Sequence, residues 1–125
     1  GGYAASLERV VARSARATAA APRCRVHALG DYYSAAQQPY QRALAARGLT
    51  PAEIGSHAGA ADTSLMLALD PTLVRTDVAA TRPRDAADGV NGDPRRASAE
   101  LGRLGVELIV DASVAAIRDR LLNRK

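Results

Sequence analysis

The chain has 125 residues, the size of one ordinary domain, and its 47% hydrophobic and 24% charged residues suit a globular protein. Its net charge is +4, but the Arg residues are scattered and do not interleave with the four Tyr, which argues against a nucleic-acid partner. The single cysteine, Cys24, excludes an internal disulfide and a thiolate cluster, and no apolar run indicates a membrane segment or secretory signal. We therefore expect a cytoplasmic protein without a membrane or nucleic-acid partner.

The first part of the chain predicts a helix, a strand and a second helix, in that order. Apolar residues at three- and four-residue steps indicate a helix over residues 3–20. Alternating apolar and polar residues over 24–29 indicate a short strand. A second helix is expected over 31–47, with Gly48 ending it. This order is typical of α/β layering around a mostly parallel sheet, which is the fold class we expect.

Helix-start signals mark two further helices in the middle of the chain. Residues 50–53 form a capping-box pattern with Pro at the first helical position, and Gly55 limits this helix to a short segment. Another helix opens at residues 62–64 and closes at 70–71, where an Asp precedes a Pro. We expect residues 76–94 to be a surface loop, because they are poor in large apolar side chains and contain several Gly and Pro.

The last part of the chain keeps a helical period of apolar residues to its end. It begins at an Asp-Pro pair, residues 93–94, which is a common start of a helix. Gly102 and Gly105 lie inside this pattern, although each glycine costs a helix about 1 kcal/mol relative to alanine. Glycines at such positions indicate close contact between the helix backbone and a neighbouring element.

The chain has two histidines, and one of them lies in a pattern that indicates chemistry. His27 lies in the predicted strand, where a structural role is more common. His57 lies between Gly55 and Gly59, whose backbone allows a ligand to approach closely. Asp62 follows five residues later, and its spacing fits either a helix N-cap or a metal ligand, with the cap slightly favoured. One His and one Asp are too few to form a zinc site.

Two segments of the chain resemble the signatures of the creatininase family of amidohydrolases. Residues 55–69 resemble the family segment H-A-G-x-x-[ED]-T-S, which continues into a helix. Residues 89–102 resemble its second signature, G-V-x-G-D-P-x-x-A-[ST]-x-E-x-G. The two motifs occur in family order and at a family-like separation, and the resemblance covers nearly the whole chain.

The resemblance implies a three-layer α/β/α fold, of which residues 1–125 are the C-terminal half and form a single partial domain. Such enzymes hydrolyse small-molecule substrates at non-peptidic or cyclic amide C–N bonds, and they are often homo-oligomers. They use one or two divalent metals, here zinc, manganese or iron. Most of the metal ligands lie in the family's N-terminal half, so the resemblance also implies that this fragment is inactive alone.

The family's motifs assign roles to individual residues of this chain. His57 matches the active-site histidine, which would transfer a proton at the amide nitrogen or bind the tetrahedral intermediate. Asp62 matches an acidic position that would bind metal or orient water. Ser56 stands where creatinine-hydrolysing members carry Glu, which argues against creatinine as the substrate. The remaining matched residues belong to the active-site loop or to a metal-binding glycine turn: Ala58 and Gly59 beside Ser56 in the loop, and Gly1 and Gly2 in the turn.

Two other functions stay open on the sequence. The chain could be a structural or assembly half-domain without catalysis, or a small Arg-rich binding module. A Glu-x-His pair, an Asp and a further His upstream of Gly1 would favour a catalytic parent protein. Salt-dependent retention on DNA would be required of the binding module.

Overall fold

The computed structural model describes residues 2–17, 26–29, 31–81 and 89–122 of the chain. The described residues form six α-helices, and short 3-10 turns lie at Pro71–Leu73 and Pro94–Arg96. The helices are α1 (Gly2–Ala17), α2 (Asp31–Ala45), α3 (Pro51–Ile54), α4 (Ala60–Leu69), α5 (Thr76–Thr81) and α6 (Ala99–Leu122).

The expected α/β fold with a mostly parallel sheet is wrong for the described part of the chain. That part is mostly helical and has no sheet; its only β-type pairing is an isolated antiparallel bridge between His57 and Asn91. Residues 26–29, which belong to the predicted strand, have no regular structure, and Cys24 lies outside the described residues. A strand is stable only when neighbouring strands bind its backbone N–H and C=O groups. The sequence predicts no second strand that could pair with this one.

The predicted capping box at the start of α3 is confirmed. The Thr50 N–H donates to Glu53 Oε2 at 2.7 Å, and the Glu53 N–H donates back to Thr50 Oγ1 at 3.3 Å. Gly55 ends this four-residue helix with a positive φ of 71°, a conformation that favours glycine. The sequence therefore fixes both ends of α3, and with them the start of the loop that follows.

The segment expected to be a loop, residues 76–94, contains more regular structure than the sequence indicated. Its first six residues form α5, and its last residue begins the 3-10 turn at Pro94–Arg96. Residues 82–88 lie outside the described part of the chain. Two consecutive alanines in α5 are good helix formers, and they outweigh the lack of large apolar side chains in this segment.

The core forms where α6 crosses α2 and α4. Gly102 lies directly against the backbone of Ser64, and a Cβ added there would also lie 2.8 Å from Ala68 Cβ. A Cβ at Gly105 would lie 2.7 Å from Leu65 Cδ2. These contacts confirm that both glycines face a close neighbour. The buried residues of the core and the partly buried ones packed against it are Tyr40, Leu44, Leu49, Ile54, Ala60, Ala61, Leu65, Leu101, Leu104 and Leu108.

The second half of α6 extends beyond this core and presents apolar side chains to solvent. We call the exposed row Val110, Val114, Ile117 and Leu121 the α6 stripe. Its members recur at four-, three- and four-residue steps, so they lie on one face of the helix. In the described part of the chain, no helix is both long enough and apolar enough to cross a membrane.

Candidate functional site

The loop between α3 and α4 lies against the loop that precedes the Pro94–Arg96 turn. Gly55, Gly59 and Gly92 form the contact, and their backbones touch. A Cβ at Gly59 would lie 2.9 Å from Gly92 Cα, and a Cβ at Gly92 would lie 2.5 Å from Gly59 Cα. Because real Cβ atoms do not approach other atoms so closely, a larger residue at these positions would separate the loops.

An antiparallel bridge joins His57 to Asn91 across this contact. The Asn91 N–H donates to the His57 carbonyl at 2.8 Å, and the His57 N–H donates to the Asn91 carbonyl at 3.2 Å. The Ser56 N–H donates to the same carbonyl at 2.9 Å, so two residues oppose one, as in a β-bulge. The bridge thus fixes the backbone of His57 while its side chain stays exposed.

Ser56 and Asn91 also interact through their side chains. The Ser56 hydroxyl donates to Asn91 Oδ1 at 3.0 Å, and the Ser56 backbone N–H lies 3.3 Å from the same oxygen. Ser56 and Asn91 are separated by 35 positions in the sequence, yet they form one hydrogen-bonded unit. Sequence reasoning missed Asn91, because it occupies the variable position of the second signature; its place between Gly89 and Gly92 was the one available signal.

Asp62 lies in the first turn of α4 and binds the loop backbone. Its Oδ2 accepts a hydrogen bond from the Ala58 N–H at 2.9 Å, and the Thr63 hydroxyl donates to the Ala58 carbonyl at 3.3 Å. Ala58 has a positive φ of 53°, which is uncommon for a residue with a Cβ, and these two bonds stabilise it there. Asp62 is the third residue of α4, and the N-cap is Gly59, so the N-cap role that the spacing slightly favoured is wrong; the carboxylate instead holds the loop that precedes the helix.

The second signature supplies a pair of charged contacts that hold the site together. The Asp93 side chain is buried, and it accepts hydrogen bonds from Arg95 Nε at 3.0 Å and from Arg95 Nη2 at 2.7 Å. These bonds raise the pKa of the Arg95 guanidinium, because they favour its charged form. The Asp93 N–H donates to the Glu53 carbonyl at 2.9 Å, which ties the signature to the end of α3.

Glu53 is the second charged residue that links the two loops. Its pKa is lowered, first by the hydrogen bond from the Thr50 N–H, then by the Thr50 hydroxyl and by Arg96. Arg96 Nη1 lies 3.2 Å from Glu53 Oε1 and also donates to the Gly48 carbonyl at 2.8 Å. One carboxylate therefore caps α3 and binds the 3-10 turn of the second signature.

A buried hydroxyl pair lies behind Asp62. The Tyr40 hydroxyl donates to the Ala61 carbonyl at 3.3 Å, and Ser64 Oγ accepts from the Ser98 N–H at 3.1 Å. Burial raises the pKa of Tyr40 to about 12, so its hydroxyl stays protonated and remains a donor. Tyr40 and Asp62 line a small cavity of about 20 Å³, which is enough for one water molecule.

The described residues do not fit a metal centre by themselves. Among them, no group of three or more His, Cys, Asp or Glu side chains is placed to hold a metal ion. Two carboxylates of these loops have other partners: Asp62 binds the Ala58 N–H, and Asp93 binds Arg95. Of the predicted glycine turn, Gly1 lies outside the described residues and Gly2 begins α1. His27 is exposed and lies in a segment without regular structure.

A comparison with known protein families agrees with the resemblance carried by the two signatures. The sequence model of the creatininase family, described as creatinine amidohydrolase, matches residues 1–117. The class of protein is therefore a hydrolase of the amidohydrolase type. The chain belongs to the creatininase family. No curated protein and no solved structure matches the chain.

Proposed function

We propose that this chain carries the proton-transfer residue of an enzyme that hydrolyses a non-peptidic or cyclic amide C–N bond, and that this residue is His57. The observation that supports it is the bridge between the two signatures, in which the Asn91 backbone binds both the N–H and the carbonyl of His57. A catalytic group needs this combination of a fixed backbone and an accessible side chain, because the reacting atoms must meet in one geometry.

The chemistry assigned to His57 is general acid catalysis at the leaving nitrogen. When water adds to the amide carbonyl, a tetrahedral intermediate forms, and the C–N bond breaks as the nitrogen takes a proton. An exposed imidazole on a fixed loop is suited to deliver that proton, and its N–H could also bind the oxygen of the intermediate. Ser56, Ala58 and Gly59 would form the rest of the active-site loop.

Asp62 supports the same function through the backbone. Its bond to the Ala58 N–H places a carboxylate directly behind the residue that follows His57. We assign it the positioning of this loop, and orientation of a water molecule in the adjacent cavity as a second role. Metal ligation by Asp62 would require further ligands, which the described residues do not supply.

Creatininase-family enzymes are generally metal-dependent, and bound zinc, manganese or iron polarises the amide carbonyl and lowers the pKa of water. Because the described residues do not form such a site, we propose that the 125-residue chain is inactive alone and acts within a larger enzyme, as a homo-oligomer. Its substrate would be a small-molecule amide other than creatinine, since Ser56 replaces the expected Glu.

The first prediction concerns His57. We expect the intact gene product to release ammonia or amine from small linear and cyclic amides when zinc or manganese is added, and the 125-residue chain to release none. His57→Ala in the gene product should lower kcat at least about 100-fold, the usual contribution of a general acid. His27→Ala is the matched control, because it removes the other histidine from an exposed site, and it should keep full activity.

Three results would contradict the proposal. Turnover by the gene product that survives His57→Ala would remove its proton-transfer role. Turnover by the 125-residue chain alone, lost on His57→Ala, would overturn the claim that this chain is inactive by itself. Absence of hydrolysis in the gene product over a broad amide panel, with each metal, would favour a structural role for the chain.

A further inference from the structure

The side-chain amide of Asn91 has a fixed orientation. Its Oδ1 accepts hydrogen bonds from the Ser56 hydroxyl and from the Ser56 backbone N–H. A backbone N–H can only donate, so the atom that faces it must be the oxygen and not the nitrogen of the amide. The Nδ2 group therefore points away from Ser56, and it has no hydrogen-bond partner among the described residues.

His57 is the residue that pairs with Asn91 in the bridge. Residues directly opposite each other in an antiparallel bridge project their side chains to the same face, with Cβ atoms about 5 Å apart. His57 and Asn91 are such a pair, and the side chains of both are exposed. An amide donor and an imidazole thus share one open face of the bridge.

The same face lacks a competing acceptor among the described carboxylates. Asp62 is turned towards the Ala58 N–H, and Asp93 is buried against Arg95. Glu53 is bound by Thr50 and Arg96. A ligand at this face therefore meets a neutral donor that is not already used, and the group that satisfies a donor is an acceptor oxygen.

We infer that Asn91 Nδ2 donates a hydrogen bond to a carbonyl or carboxylate oxygen of the substrate, next to the bond that His57 acts on. Asn91 is then a specificity-determining residue, and its substrates carry an acceptor oxygen beside the scissile amide. This inference rests on the proposed function, and Ser56 contributes by holding the amide in one orientation.

The direct test needs no turnover. In a ¹H–¹⁵N spectrum of the 125-residue chain, N,N-dimethylacetamide, which has an acceptor oxygen and no N–H, should shift the Asn91 side-chain amide signals. Methylguanidinium, which has only donors, should not. The side-chain amides of Gln37, Gln38 and Gln41 report non-specific effects in the same spectrum. Equal shifts at the Gln and Asn91 amides, or no shift at Asn91, would overturn the inference.

The second test is Asn91→Asp in the intact enzyme. An aspartate keeps the acceptor for Ser56, and so the bulge, but replaces the donor by a negative charge. For an amide that carries an acceptor oxygen beside the scissile bond, kcat/KM should fall on the order of tenfold to a hundredfold, mainly through KM. For an analogue with an amino group at that place, kcat/KM should fall little or should rise.

These outcomes separate this inference from the proposed function. An unchanged preference in Asn91→Asp, in a protein with the same unfolding midpoint, would refute the inference while His57 catalysis stands. If no amide is hydrolysed by the intact protein, the proposed function fails, and the spectrum alone decides whether Asn91 binds acceptor oxygens.

Discussion

Glu53 shows how one side chain can serve a helix and a distant loop. It caps α3 through Thr50 and binds Arg96 of the second signature. Both partners favour the charged carboxylate, so the pKa of Glu53 is lower in the folded protein than in the unfolded chain. The native state therefore binds a proton at Glu53 less readily than the unfolded state does, so the stability that Glu53 contributes depends on pH.

The sign of this link gives a prediction. The stability contributed by the Glu53 charge should be fully present above the ordinary pKa of 4.5 and should be lost as pH falls through the lowered folded value. Glu53→Gln keeps the cap but removes the charge, so the wild type should be more stable at neutral pH, with the difference shrinking in acid. Urea unfolding of both proteins at neutral and at acid pH measures this difference in the free energy of unfolding.

The control for this experiment is Glu107→Gln, at an exposed position of α6. It removes one negative charge without touching a cap or the second signature. The loss of stability caused by Glu53→Gln should exceed that caused by Glu107→Gln, and it should be larger at neutral than at acid pH. If either condition fails, the charged contacts of Glu53 do not stabilise the fold.

At the scale of elements, the contact between α4 and α6 depends on the absence of a side chain at Gly102. Alanine is ordinarily favoured over glycine inside a helix by about 1 kcal/mol. Here a Cβ would overlap the Ser64 carbonyl and crowd Ala68, so the helices would have to move apart. Because Ser64 is fully buried and binds the Ser98 N–H, little space is free to accept that movement.

We therefore expect Gly102→Ala to lower the free energy of unfolding by about 1–3 kcal/mol, against its helix propensity. Arg103→Ala, one residue further along and exposed, should change it by less than about 0.5 kcal/mol. Chemical denaturation of both variants measures the two values. A Gly102→Ala protein as stable as the wild type would show that the helices are not in backbone contact.

The elements differ in how far the sequence determines them. The boundaries of α3 follow from Thr50, Glu53 and Gly55, because capping and positive φ are local effects that these residues produce by themselves. The sheet was wrongly predicted, because alternation over 24–29 describes what a strand would look like and not whether a partner exists. The same limit hid the bridge at Asn91, which depends on a contact between residues 34 positions apart.

At the scale of the whole molecule, the α6 stripe is an exposed apolar surface on a small protein. Val110 is 51% exposed, Ile117 47% and Leu121 65%, so α2 and α4 leave this face largely uncovered. A contiguous apolar row of this kind promotes association, because pairing removes the row from water.

This exposure predicts concentration-dependent self-association of the 125-residue chain, seen as a rising sedimentation coefficient. Ile117→Lys should shift the chain towards monomer, because a charge in the centre of the stripe opposes its burial. Ala115→Lys adds the same charge on another face of α6 and should leave association unchanged. A wild-type chain that stays monomeric at every concentration would contradict the prediction.

The bridge between His57 and Asn91 also has a consequence for the order in which the molecule folds. Helices α2, α3 and α4 depend on hydrogen bonds between residues close in the sequence, so they can form early. The bridge forms only after a long segment of chain has closed. On a ribosome, the residue that we assign to chemistry would stay without its backbone partners until Asn91 had emerged. Because α6, which forms the core with α2 and α4, follows Asn91 in the chain, the core and the reactive loop are both completed late.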